Sequence, residues 1–192
     1  QTCALPIYRL NNGFKIAELG FGTGLNFLST LWLWRLKKQK GKIFYTSFEA
    51  FPLQPIEMLK AQNEFPELSD LKDEFYSLWS KLLEKGELSG NDYNLRLILG
   101  DARRTIKQFD TQVDCWFLDG FSPAKNPELW EEDLLKNVYR LEDSRLGKGR
   151  TYRCVDLFIN IGRLIKFKYL LCKYFLSVLA KVEKCGLKVN HK

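Results

Sequence analysis

The 192 residues, 45% of them apolar, suffice for one buried core and fall short of two comfortable ones. The apolar-rich tract 169–180 is broken by Lys173 and is shorter than the roughly 20 residues a bilayer span needs, so no membrane segment is expected. The formal net charge of +7 points to nucleic acid less firmly than its size suggests: residues 1–149 hold 20 Lys/Arg against 21 Asp/Glu, and residues 150–192 hold 10 against 2, so the excess belongs to the last segment.

Residues 1–7 (QTCALPI) resemble the conceptual translation of a sequencing adapter, the other reading being an ordinary terminus. They lack the order of a secretory signal, which makes the cytoplasm the expected compartment. Cys3, Cys115, Cys154, Cys172 and Cys185 form no C-x-x-C pair and read as reduced thiols. Residues 14–19 are a short apolar run ending in glycines, and residues 25–34 are densely apolar before Arg35-Leu36-Lys37-Lys38, the pattern of strand, glycine turn and buried helix. Residues 43–48, bounded by Gly41 and Pro52, predict a second strand one helix later. Residues 53–92 carry helical spacing at Leu68, Leu71, Phe75, Leu78 and Leu82, which predicts an inserted helical pair after strand 2.

Residues 93–99 and 113–118 predict third and fourth strands, with a helix over 102–109 between them. Strands alternating with helices give an α/β, Rossmann-like, doubly wound and mostly parallel sheet in a single domain over 1–192. After Leu141 the pattern dissolves into a basic stretch, so 143–192 read as a divergent or frameshifted tail behind a core of about 12–142. The single histidine, His191, stands next to last, and this argues against a histidine-dependent triad or a His-rich metal site.

Three positions at the strand ends carry the chemistry. Gly20, Gly22 and Gly24 alternate in Glu18-Leu-Gly-Phe-Gly-Thr-Gly24, where a strand-to-helix turn with no Cβ admits a ligand close to the backbone; a tight turn without a ligand would look similar. Glu49 closes the second strand, where an acidic residue accepts from ribose hydroxyls, the other reading being a solvated carboxylate. Glu18 would repel a pyrophosphate but attract ammonium and sulfonium charges, which favours S-adenosyl-L-methionine over a dinucleotide. Asp101 is either an acceptor for an adenine amino group or the N-cap of the following helix.

The fourth strand ends in Asp119-Gly-Phe121-Ser-Pro123-Ala-Lys125-Asn126-Pro127. In a sheet of order 3-2-1-4-5 this loop and the glycine loop flank one crevice at the topological switch point. Asp119 is then placed to hold a target group beside the donor methyl, and Phe121 offers a face for a flipped base.

At these residues the chain resembles a known family. ELGFGTGLNFL (18–28), SFEAFPL (47–53), GDA (100–102) and WFLDGFSPAKNPELW (116–130) are similar to the methyltransferase domain of the bacterial tRNA 5-methylaminomethyl-2-thiouridine biosynthesis protein MnmC. The resemblance implies a class I methyltransferase with S-adenosyl-L-methionine as cofactor and tRNA as partner. It implies methylation of the primary amine of 5-aminomethyl-2-thiouridine at the wobble position. It places Glu18, Gly20, Gly22, Gly24, Asn26, Glu49 and Asp101 at the cofactor, Asp119 and Phe121 at catalysis, and Phe121, Pro123, Lys125 and Asn126 at the substrate. Many family members fuse this domain to an FAD-dependent oxidase that makes the amine. No second dinucleotide fingerprint is present, so the resemblance implies that a separate FAD-dependent oxidase or another source supplies the aminomethyl uridine. Residues 182–189 (VEKCGLKV) look like the approach to the family's sixth strand. Two other readings stay open: a class I methyltransferase acting on another amine, and a non-catalytic remnant of the fold.

Overall fold

Residues 13–118 and 127–141 are described by a computed structural model of the chain. In chain order the elements are β1 (Phe14–Leu19), α1 (Leu25–Leu36), β2 (Ile43–Glu49), α2 (Pro55–Gln62), α3 (Ser69–Lys85), β3 (Glu87–Ser89), β4 (Tyr93–Leu99), α4 (Ala102–Thr105), β5 (Cys115–Phe117) and α5 (Glu132–Arg140). The strands form one sheet in the order β3-β4-β2-β1-β5, parallel at every pairing except the β3–β4 hairpin.

Alternation along the strands divides the core into two layers. Ile16, Ile43, Tyr45, Leu95, Leu97 and Phe117 point to the face covered by α1, α2 and α3. Ala17, Leu19, Phe48 and Trp116 point to the opposite face, which α4 and α5 cover through Ala102, Leu134 and Val138. Helix α1 is apolar nearly all round and buries Phe27, Leu28, Leu31, Leu33 and Trp34, as a helix does when neighbours enclose it. The expected doubly wound, mostly parallel architecture is therefore observed.

The inserted helical pair is α2 and α3. Helix α3 buries Leu71, Phe75, Trp79 and Leu82 at helical spacing and ends at Gly86, whose φ of 71° only glycine adopts readily. At the far end of α1, Arg35 grips Asp92 with two hydrogen bonds of 2.6 and 3.0 Å, and its Nη1 lies 3.7 Å from Glu74. The bonds to Asp92 raise the guanidinium pKa. One arginine thus ties α1 to α3 and to the turn before β4.

Several boundaries differ from expectation. β3 falls inside a segment read as helical; three residues give too short an alternation to register, and pairing with β4 forms the strand. The helix expected over 102–109 is the four-residue α4 followed by a 3-10 turn at Ile106–Gln108. β5 spans three residues within the expected 113–118. Cys115, read as a reduced thiol, is disulfide-bonded. The expectations for residues 1–7 and 143–192 lie outside the described residues.

Candidate active site

The glycine loop leaves β1 in a backbone path that L side chains resist: φ is 89° at Gly20, 52° at Gly22 and 72° at Gly24. The three glycines serve two purposes. A Cβ built at Gly20 or Gly22 meets nothing within 4 Å, so these two open the backbone to free space. A Cβ at Gly24 would sit 3.0 Å from the Phe21 ring and 3.4 Å from Met58 Cε, so this glycine allows close packing instead. Gly24 also caps α1, and its carbonyl accepts from Leu28 N at 3.0 Å.

The loop is held from three sides. Gly20 N donates to Phe48 O at 2.8 Å, which extends the β1–β2 ladder by one bond. Gly22 N donates to Glu49 Oε2 at 2.9 Å. Thr23 O accepts from Gln62 Nε2 at 2.7 Å. Between these, Phe21 is buried in the helical insertion, stacked on Trp79 with centroids 5.6 Å apart and tilted against Phe75 at 5.9 Å.

Glu49 uses both carboxylate oxygens, accepting from Gly22 N and, through Oε1 at 2.8 Å, from Phe51 N. It organises two backbone turns and is more than a solvated strand end. Glu18 is fully buried at the end of β1, and its Oε1 accepts from Asn26 Nδ2 on α1 at 2.7 Å. Ser47, paired across the ladder with Glu18, is equally buried, and its hydroxyl finds no hydrogen-bond partner among the described residues. Buried polar groups are normally satisfied, so an orphaned hydroxyl beside a buried carboxylate suits a site that receives a polar, positively charged ligand.

On the other side of β2, Gly100 N donates to Glu49 O at 2.9 Å, which brings Asp101 to the same edge. Asp101 caps α4 by accepting from Arg103 N at 2.9 Å. The Arg103 guanidinium closes on the carboxylate at 2.6 Å and reaches Glu131 at 2.9 Å. These side-chain bonds from Arg103 hold the Asp101 pKa below the ordinary aspartate range. Of the two readings of Asp101, the N-cap is the one observed.

Asp119, Phe121, Pro123, Lys125 and Asn126 lie outside the described residues. Their flanks are described. β5 pairs with β1 through Ala17↔Trp116 and Glu18↔Phe117, so the chain leaves β5 at the edge where the glycine loop leaves β1. β1 continues to β2 on one side, whereas β5 lies on its other side, which makes the β1/β5 boundary the switch point of the sheet. The structure therefore gathers Glu18, Gly20, Gly22, Gly24, Asn26, Glu49 and Asp101 along one edge.

Gln62, Phe21, Thr23 and Ser47 were not singled out by sequence. Gln62 lies 39 residues from its partner, and no local pattern marks it. Phe21, an apolar residue between two glycines, was the one legible hint. Among the described residues no group of three or more His, Cys, Asp or Glu could hold a metal ion, and no helix is long and apolar enough to cross a membrane.

Comparison with known proteins gives this geometry a family. Residues 63–158 match the family described as S-adenosyl-L-methionine-dependent methyltransferase, a match that runs past residue 142, where the family-like core was expected to end. The chain is 39% identical over 134 residues to the tRNA 5-methylaminomethyl-2-thiouridine biosynthesis bifunctional protein MnmC of Leptospira interrogans, covering 68% of this chain and 21% of that protein. It is 36% identical over 146 residues to the Chromobacterium violaceum protein of the same name, covering 74% and 22%. The chain thus spans about a fifth of the length of the curated relatives it matches. A crystal structure of MNMC2 from Aquifex aeolicus superposes with a TM-score of 0.55 at 31% identity, over 71% of this chain and 43% of that one. With the glycine loop, the acidic strand ends and the parallel sheet all in place, the chain belongs to the S-adenosyl-L-methionine-dependent methyltransferase family.

Proposed function

We propose that this chain transfers a methyl group from S-adenosyl-L-methionine to the primary amine of 5-aminomethyl-2-thiouridine at the tRNA wobble position, giving 5-methylaminomethyl-2-thiouridine. The observation that carries the donor half is the glycine loop, whose Gly20 and Gly22 face free space while Glu49 holds the loop from the adjoining strand. The substrate half rests on relatives named for biosynthesis of this nucleoside in tRNA.

The residues fit the cofactor. Gly20 and Gly22 let its chain lie against the backbone, and the second lone pairs of the Glu49 oxygens remain for ribose hydroxyls. Glu18, kept in place by Asn26, puts a carboxylate near the switch point, where positive charge on the donor is stabilised and a pyrophosphate is disfavoured. Asp101 stands at the edge beyond Glu49, where an adenine amino group can find an acceptor. When bound, the cofactor supplies an electrophilic methyl on sulfur and departs as a neutral thioether.

Asp119 is assigned the reaction itself. A free alkylamine is mostly protonated at neutral pH, and its lone pair is needed for attack. Asp119 orients the amine and leads its proton to water, help that is typically worth about 10²–10⁴-fold. Holding nitrogen and methyl in line supplies more, up to about 7–11 kcal/mol. Phe121 stacks on the flipped base, and Pro123, Lys125 and Asn126 shape and charge the loop around it. An FAD-dependent oxidase supplies the aminomethyl uridine, in keeping with relatives described as bifunctional.

Calorimetric titration with S-adenosyl-L-methionine, followed by a methylation assay on tRNA lacking this modification, tests the reading. Donor binding with methyl incorporation at the wobble amine is the expected result. Binding with methylation of a different amine would replace the substrate, and absence of donor binding would make the chain a non-catalytic remnant of the fold.

A further inference from the structure

We infer that Gln62 is a positioning residue for the methyl donor: from the end of α2 its amide fixes the Thr23 carbonyl and thereby sets the shape of the glycine loop. This deepens the proposed function and rests on it. Gln62 is 2% exposed, and its Nε2 donates to Thr23 O at 2.7 Å across 39 residues of sequence. A buried glutamine is uncommon, because withdrawing an amide from water is unfavourable unless its hydrogen bonds are replaced.

The position of Thr23 explains why that bond matters. Thr23 lies between Gly22 and Gly24, both at positive φ, and the two peptide units beside it can rotate with little steric resistance. Glu49 fixes the amide of Gly22 at 2.9 Å on one side. Gln62 fixes the carbonyl one residue later. An acceptor on the loop's amide and a donor on its carbonyl together determine which way the Gly22–Thr23 backbone faces, and so whether it offers the open side at Gly20 and Gly22 to a ligand.

Apolar contact alone would not do this. Phe21 on Trp79 and Phe75 anchors the start of the loop, and Met58 packs near Gly24 at its end, but such contacts are non-directional and allow a peptide unit to turn. The Thr23–Gly24 peptide unit is tied directionally at both ends, by Gly24 N donating to Phe21 O at 2.9 Å within the loop and by the amide of Gln62, which is the directional tie that the helical insertion supplies. The helical insertion accordingly shapes donor affinity from outside the donor pocket.

Gln62→Met keeps the side-chain length and loses the donor; Gln62→Glu keeps the shape and sets an acceptor against the Thr23 carbonyl. Both are to be compared with the parent 192-residue chain by titration with S-adenosyl-L-methionine and by amide hydrogen exchange without ligand. The expected result for Gln62→Met is donor affinity lowered by about tenfold, with exchange at residues 20–25 accelerated and β1 and β2 exchanging as in the parent. Gln62→Glu, where it folds, should lose at least as much. Parental donor affinity together with parental loop exchange in Gln62→Met overturns the inference, as does acceleration spread equally over β1 and β2, which marks a general packing role. A parent chain that fails to bind the donor would sink the proposed function instead, and the loop exchange would still decide the role of Gln62.

Discussion

At the scale of single residues, glycines that look alike in sequence are held for different reasons, and substitutions should separate them. Gly22→Val puts a branched side chain at φ 52° into the free space before the loop. Donor affinity should fall by more than about 100-fold, roughly 2.7 kcal/mol, in a calorimetric titration. A Val variant that binds like the parent would move the donor site elsewhere. Asp101 is a test of a different kind. Its carboxylate pKa is depressed by Arg103, so its contribution to stability is present above the ordinary aspartate range near pH 4 and fades as pH falls through that range towards the lowered value. Asp101→Ala should cost about 1 kcal/mol at neutral pH through loss of the cap, the half-exposed ion pair adding little. Asp101→Asn retains a cap and should flatten the acid limb of stability measured by denaturant titration between about pH 2 and 5. Asp119→Asn belongs to the proposed chemistry: nearly unchanged donor affinity, with methyl transfer lowered at least about tenfold, or roughly 1.4 kcal/mol in the barrier. Turnover at the parental rate would remove Asp119 from the mechanism.

Between residue and whole stands the insertion of α2 and α3, which supplies the far wall of the glycine loop. Phe21, Phe75 and Trp79 form one aromatic cluster in which the loop provides one ring and α3 the other two. Phe21→Ala should therefore cost about 3–5 kcal/mol in unfolding free energy, measured by denaturant titration, and weaken donor binding as well. Loss of stability with donor affinity intact would separate the cluster from the loop. The strand ends and the three glycines were legible because their chemistry is local: special φ values, a strand stop, an acid at a fixed place. Gln62 and Ser47 were not, because their partners come from elements distant in sequence and a glutamine or serine in a helix or strand carries no periodic signal. β3 was illegible for a related reason. Three residues cannot display alternation, and the strand exists because β4 offers it a ladder.

Over the whole molecule, the sheet order places every described site residue on one edge and leaves the opposite edge to turns such as the one Arg35 secures through Asp92. That division follows from parallel strands, whose carboxyl ends all emerge together. The hairpin partner of β4 has a bearing on how the chain behaves at high concentration. β4 is well formed, with Leu95 and Leu97 buried on one face, and a strand of that kind with open backbone groups is a template for a second chain. β3 covers that border with three residues, two of them the exposed and polar Glu87 and Ser89, while Leu88 turns inward. It serves as a selvedge, finishing the cloth with a strip too short and too polar to be stitched to a neighbour. Leu88→Pro removes both an amide donor and the inward anchor, and light scattering should then show association that grows with protein concentration. A variant whose scattering matches that of the parent at every concentration would mean that β4 is guarded by other means. Three residues that stand apart from the described site residues thus close the free side of β4.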